Sequence, residues 1–278
     1  MTVGIAAICD GTEDESHGVV VAADRLVTTG YGTRIEYEHT DTKITEITDA
    51  GSVTCFAVAS GSLSLADDLF FKMEEEIAER GPTTIRDIAQ EGVDAFHRLQ
   101  RETFTNQILA PLDLELEDLR KGDISLSKEY QRALLQDIYE KKEEIEQNLS
   151  ILLAGVDDDG AHIYSLTDAD IARHDNLGYA TIGSGSLSSQ LTFTRNRYDT
   201  DCSLSDGLMT VVEAKARAEE AQGVGRKMDI VLIKDDNVEF VKGDDVEPLR
   251  ELQQEIETAE MNAREKTIEQ SDIGYLDR

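Results

Sequence analysis

The chain has 278 residues, 40% of them hydrophobic, and 58 acidic against 27 basic side chains give a formal net charge of −31. Binding nucleic acid by phosphate neutralisation needs the opposite sign, so that class is disfavoured. The acidity is spread along the chain rather than gathered in a tail. It reads as a surface that stays soluble in concentrated salt, where screening mutes self-repulsion, and the expectation is a halophilic cytoplasm.

In chain order, two apolar runs come first, Val3 to Cys9 and Val19 to Ala23, around a polar loop from Thr12 to Gly18. This is a strand, a solvated connection and a returning strand. Thr28 to Glu38 is polar with glycines and reads as a meandering connection. Ile44 to Ile47 and Val53 to Ala59 form a second strand pair around Thr48-Asp49-Ala50-Gly51. Gly61 breaks that run before a helix from about Ser64 to Arg80, whose Leu65, Leu69, Met73 and Ile77 line one face. Gly81-Pro82 stops it, Thr84 with Asp87 is a capping pair, and Ile85, Ile88, Phe96 and Leu99 mark a second core-facing helix.

Residues 105–149 hold Pro111, an LDLELEDL run, a turn at Lys121-Gly122-Asp123 and a charged helix from Ser127 to Gln147, with Tyr130, Leu134, Ile138 and Ile145 along one side. Ile151 to Val156 and His162 to Leu166 form a hairpin. The acidic triplet Asp157-Asp158-Asp159 before Gly160 is ordinary turn chemistry rather than a metal site. Tyr179 to Ile182 leads into a GSGS turn. A helix follows from Asp206 to Ala221, then a strand from Met228 to Lys234 and a charged helix from beyond Asp244 to about Gln270. That last helix has a thin apolar side of Leu249, Leu252, Ile256 and Ala259.

One domain with an elaboration fits this length, and three prolines with no long Gly/Ser tract argue against flexible linkers. Cys9, Cys55 and Cys202 are odd in number and lack CxxC pairing, which fits a reducing interior. No signal h-region or membrane-length apolar run is evident, so a cytoplasmic protein without a membrane partner is expected.

Thr2 stands directly behind Met1. Once Met1 is trimmed, it offers a hydroxyl nucleophile and a free α-amine on one residue, and an amine of pKa roughly 7.7–8.0 serves as a base near neutrality. The pieces around it are Thr2-x-x-Ile5-Ala6, GVVVAADR, the lysine of TDTKITEI, Ala59-Ser60-Gly61-Ser62, ILLAGVDDDGAHIYSL, Ala180-Thr181-Ile182-Gly183-Ser184-Gly185-Ser186 and KMDIVLI. In this order the chain resembles a proteasome β-type subunit, a threonine protease of the N-terminal-nucleophile class. The resemblance covers most of residues 2–100 and 150–234.

The resemblance implies an α+β fold, a four-layer αββα sandwich. It makes Thr2 the nucleophile, tuned by Asp24 and Lys43, with Gly61 at the oxyanion and Ser184 against the terminal amine. Val27, Thr28, Ala59 and Leu63 would bind substrate, and the small apolar positions among them point to a hydrophobic residue before the cut. No cofactor and no metal are implied. The expected partners are a polypeptide or peptide substrate, further copies in a ring or open spiral, and an ATP-dependent unfoldase. The catalytic domain would run over 2–244, interrupted by the 105–149 helical insertion, with 245–278 a charged tail.

Three departures stand out. The 105–149 insertion exceeds the ordinary subunit. Ala221 and Val224 occupy positions where the family usually carries an Asp and a Ser bonded to the nucleophile's amine. No propeptide precedes Thr2, so maturation would fall to a methionine aminopeptidase. These features are similar to minor branches, the bacterial Anbu type and the archaeal connectase type. The latter is a transpeptidase that would pass the same Thr2 ester to an amine. A catalytically silent ring subunit is the other alternative.

Overall fold

A computed structural model of the chain describes residues 2–11, 18–29, 35–50, 52–121, 127–167, 170–234 and 237–270. It is a mixed α+β arrangement built on two five-stranded antiparallel sheets. The first sheet runs β10 (Tyr179–Gly183), β1 (Val3–Cys9), β2 (Gly18–Asp24), β11 (Met228–Lys234), β12 (Asn237–Val241). The second runs β5 (Ile44–Ala50), β6 (Val53–Gly61), β7 (Leu149–Asp157), β8 (Gly160–Leu166), β9 (Ile171–Arg173). Seven α-helices are described: α1 (Leu63–Arg80), α2 (Ile85–Phe104), α3 (Leu116–Lys121), α4 (Lys128–Asn148), α5 (Ser186–Asn196), α6 (Leu204–Ala218) and α7 (Glu247–Gln270).

Period-two alternation sorts each strand's side chains onto two faces. Ala6, Ile8, Val21 and Val231 of the first sheet meet Phe56, Val58, Leu152 and Ile163 of the second in one cluster. The odd residues of β1, Val3 to Cys9, turn the other way and pack with Phe193 of α5 and Val211 and Ala214 of α6. On the outer face of the second sheet, Cys55, Ala57 and Leu153 pack against Leu69 and Met73 of α1 and Ile88 and Phe96 of α2. Because both faces of the central strands are covered, they read as unbroken apolar runs.

Caps and turns follow the local chemistry. Ser62 and Thr84 accept from the N–H groups of Leu65 and Asp87 to start α1 and α2, and Gly81 closes α1 in the left-handed region. Asp157 is a structural acceptor, taking the N–H of Ile85 at 2.7 Å and of Asp159 at 2.9 Å.

Several elements differ from their sequence signals. Thr28 to Glu38 contains a two-stranded ribbon, β3 (Leu26–Thr29) with β4 (Ile35–Glu38), rather than connection alone. β5 continues to Ala50 through a bulge between Glu46 and Thr48. Helix α5 has no apolar stripe to betray it: its buried side is Ser189, Thr192 and Phe193, while Leu187 and Leu191 are exposed. The charged insertion helix is present as α4, capped by Ser127 and anchored by Leu134 and Ile145. The turn at Gly122-Asp123 and most of the Thr12 to Gly18 loop lie outside the described residues. No described helix is long and apolar enough to cross a membrane.

A buried histidine supplies a pH test of the fold. His162 lies between Asp175 (Nδ1 to Oδ2, 2.6 Å) and Asp157 (Nε2 to Oδ1, 3.2 Å). The hydrogen bond with Asp175 raises its pKa above the ordinary histidine value, against the pull of burial. The stability it contributes is complete below the unfolded pKa of about 6.5 and is lost as pH rises through the raised folded value. His174 is lowered by burial and acts with the opposite sign. The melting temperature of the wild type relative to His162→Gln is therefore expected to fall across that window. Parallel curves in a pH series of thermal melts would refute the assignment.

Candidate active site

Strand ends meet at one edge of the paired sheets. β1 begins there, β2, β6 and β10 end there, and Lys43 sits one residue before β5. Thr2 shares the parity of Gly4, whose face is packed so tightly that an added Cβ would lie 2.6 Å from Val58 Cγ1. Its side chain accordingly turns toward the second sheet. There the ammonium of Lys43 donates to Thr2 Oγ1 at short range.

Lys43 Nζ makes two further bonds, to Asp24 Oδ1 at 3.1 Å and to the Leu26 carbonyl at 2.5 Å. Its side chain is only 7% exposed. Burial pushes its pKa below the ordinary lysine value, while the charge and hydrogen bond of Asp24, and the charge of Glu38, pull it back up. Asp24 is wholly buried and its four contacts divide evenly. Oδ1 takes the Val3 N–H at 2.9 Å and Lys43, and Oδ2 takes the N–H groups of Leu26 and Gly225, each at 3.0 Å. One carboxylate thus ties the first residue of β1, the β2–β3 turn and the loop before β11 to the lysine.

On the other side of Thr2, the turn after β10 wraps its carbonyl. Ser184 Oγ donates to the Thr2 carbonyl at 3.3 Å and Gly185 N–H at 3.4 Å. The Ser184 contact is thus to the carbonyl, whereas the resemblance expected the amine. Gly183 has φ +89° and no room for a side chain: a Cβ would come within 2.2 Å of the Thr2 carbonyl oxygen and 2.8 Å of Ser60 Oγ. Gly61 ends β6 at φ +116°, where a Cβ would lie 2.0 Å from the Asn148 carbonyl.

Beside this turn opens a groove of about 690 Å³. It is lined by Ser60, Gly61 and Ser62, by Ser150, by Thr181, Ile182, Gly183, Ser184 and Ser186, and by Gln147 and Asn148 at the end of α4. The 105–149 insertion therefore supplies part of the groove wall. Lys43, Asp24 and the β3–β4 ribbon lie on the β2 side of β1, and the groove on the β10 side.

Lys43 contacts both Thr2, 41 positions away in sequence, and Asp24; Gly61 and Ser184 both border the groove. Of the expected substrate-binding residues, Val27, Ala59 and Leu63 do not line it. Val27 is buried, Ala59 faces the α1–α2 side of its sheet within the core, and Leu63 is exposed at the start of α1. The side chain of Thr28 and the whole of Met1 lie outside the described residues. Sequence reading missed the Leu26 carbonyl, the Gly225 N–H and Ser60. A glycine pair in Gly223-Val224-Gly225 was the signal for the second of these: a Cβ on Gly225 would be 2.7 Å from Leu26 Cβ.

No family model matches the chain, and no curated protein matches its sequence. Solved structures do share its fold. A Gly-1 mutant of Anbu from Hyphomicrobium sp. strain MC1 has a TM-score of 0.65 at 13% identity, over 96% of this chain and 97% of that one. Anbu from the same strain has a TM-score of 0.63 at 13% identity, over 95% and 97%. Anbu from Yersinia bercovieri, described as an ancestral beta-subunit, has a TM-score of 0.61 at 13% identity, over 94% and 96%. The chain has the fold of these Anbu proteins along nearly its whole length.

Proposed function

We propose that the chain is a proteasome-like threonine peptidase of the N-terminal-nucleophile class, a four-layer αββα sandwich that acts once Met1 is removed. The observation that carries this reading is the contact of Thr2 Oγ1 with Lys43, itself held by Asp24. The Anbu-like fold and the three separate core clusters support it. Catalysis uses side chains and main chain alone, without a cofactor. Residues 2–244 form the catalytic body with the 105–149 insertion on its groove side, and 245–278 the tail.

Thr2 Oγ attacks a peptide carbonyl as its proton passes to the α-amine of the same residue. The Lys43 ammonium stabilises the alkoxide-like oxygen and disfavours a protonated amine. The C–N bond breaks, the amine hands its proton to the leaving nitrogen, and an ester remains on Thr2. Water, deprotonated by the amine, then cleaves the ester. Gly61 N–H, at a residue without a side chain, is assigned to the oxyanion. Substrate is a peptide or polypeptide in a salt-rich cytoplasm, and the subunit works in a homo-oligomer to which an unfoldase docks.

Covalent labelling tests the reading. A threonine-directed electrophile is expected to add once, at residue two, to protein whose intact mass lacks Met1. Retained Met1 with no adduct would leave the silent-subunit alternative. The polar groove beside Thr2 also suits an incoming amine, which favours a transpeptidase as second reading. Product analysis with a competing peptide amine separates ligation from hydrolysis.

A further inference from the structure

The loop between α6 and β11 carries Ala221 and Val224 where the resemblance expects polar contacts with the nucleophile. Both side chains belong to the apolar cluster under the first sheet. What this loop gives the site is a main-chain group, the Gly225 N–H that donates to Asp24 Oδ2 at 3.0 Å. A main-chain donor aims only as well as its loop is held.

The loop is held by a buried lysine. Lys215 of α6 has no exposed side-chain surface, and its ammonium donates to the Gly225 carbonyl at 2.6 Å, the Arg226 carbonyl at 3.2 Å and Glu219 Oε1 at 2.5 Å. Carrying a charge at full burial is expensive unless it is paired and hydrogen-bonded, and here all three ammonium donors have acceptors. Glu219 is gripped in turn by Arg250 of α7, whose guanidinium also donates to the Arg226 carbonyl. From the far side, Glu38 Oε1 takes the Arg226 N–H at 3.0 Å. The contacts therefore run without a break from the C-terminal helix to the nucleophile: Arg250, Glu219, Lys215, the Gly225 peptide, Asp24, Lys43, Thr2.

We infer that Lys215 and Arg250 are positioning residues of the active site: with Glu219 they fix the backbone on the carbonyl side of Gly225, and through the Gly225 N–H the carboxylate of Asp24 that aims Lys43 at Thr2. The charged tail helix is on this account a strut of the catalytic centre rather than a decoration. The inference rests on the reading of Thr2 as nucleophile, and its test has one arm that does not.

The test uses full-length Arg250→Ala and Lys215→Met. The first removes a partly exposed guanidinium and should fold even where the second does not. Amide hydrogen exchange at Leu26 and Gly225, whose N–H groups share Asp24 Oδ2, is expected to quicken about tenfold in Arg250→Ala, with β6 and β7 unchanged. In the second arm, the rate of Thr2 labelling is followed against pH. The groups facing Lys43 are Asp24 and Glu38, and those facing Lys215 are Glu219, Arg250 and, at longer range, Asp24. A displaced Asp24 no longer supports the Lys43 ammonium, so the alkaline limb of the profile should shift to lower pH. A merely destabilised protein would lose amplitude with the limb in place. Unchanged exchange and an unmoved limb in both variants would overturn the inference. A wild type that is never labelled, with exchange quickened in the variants, would sink the nucleophile reading and leave the strut standing.

Discussion

Thr2→Ala is expected to lose all detectable labelling by a threonine-directed electrophile and to lower peptide turnover by about a thousandfold or more, since removing a nucleophile leaves only binding and oxyanion contributions. The substitution isolates the hydroxyl. Alanine at position two is also small enough for Met1 to be trimmed, so the α-amine remains where the reading needs it. The fold should survive, because Lys43 keeps two acceptors, Asp24 and the Leu26 carbonyl, when Oγ1 is gone. A stability change of about 1 kcal/mol is the order expected for one hydrogen bond. Thr2→Ser keeps the hydroxyl and should stay labelled at residue two. Turnover by Thr2→Ala at the wild-type rate, on peptides or unfolded protein, would end the account of Thr2 as the nucleophile. It would leave the Thr2–Lys43 contact as an internal bond of the fold.

The parts of this site that were legible in sequence are those whose chemistry is local. Thr2 behind Met1 is such a part; Asp24 at the end of β2 and Lys43 just before β5 were assigned through the resemblance, since a charge at a strand end is by itself ordinary. The two-sheet core was legible only through the resemblance, since the order of strands and helices also fits other α/β layerings. What stayed hidden depends on the main chain or on long-range contact. The Leu26 carbonyl and Gly225 N–H have no side-chain signature. Lys215 reads as one more polar residue on a charged helix, and only the packing of α6 against β1 and β2 buries it. Helix α5 was missed because its buried face is Ser189, Thr192 and Phe193, while its leucines point outward. Val27, Ala59 and Leu63, from which a hydrophobic pocket was expected, do not line the groove across β1, whose walls include Ser60, Ser150, Ile182 and Ser184. Two of its walls, Gln147 and Asn148, come from the insertion that departs from the resemblance.

Asp24→Asn should be the most damaging near-isosteric change in the chain, and its four hydrogen bonds say why. Each carboxylate oxygen accepts two donors: Oδ1 the Val3 N–H and Lys43, Oδ2 the N–H groups of Leu26 and Gly225. An asparagine has one accepting oxygen, and its NH₂ must face one of those pairs, donor against donor, in either flip. If it faces Leu26 and Gly225, two buried N–H groups lose their partner, at about 1–3 kcal/mol each. If it faces Lys43 and Val3, the ammonium and the Val3 N–H lose their acceptor instead; in both flips the amide carries no charge, so the buried Lys43 ammonium loses its counter-ion, and breaking such a pair costs about 3–5 kcal/mol. Either way the melting temperature should fall by several degrees, at about 2–4 °C per kcal/mol for a domain of this size. Activity should fall further than stability explains, by about a hundredfold or more, because the proton balance at Thr2 loses its control. Lys43→Met provides the comparison, and the double variant closes the cycle. If Asp24 acts through Lys43, the Asp24→Asn penalty on Thr2 labelling should largely vanish in the Lys43→Met background. Additive penalties would mean that Asp24 serves only to tie β1, β3 and the Gly225 loop together, and that Lys43 is oriented by the Leu26 carbonyl alone.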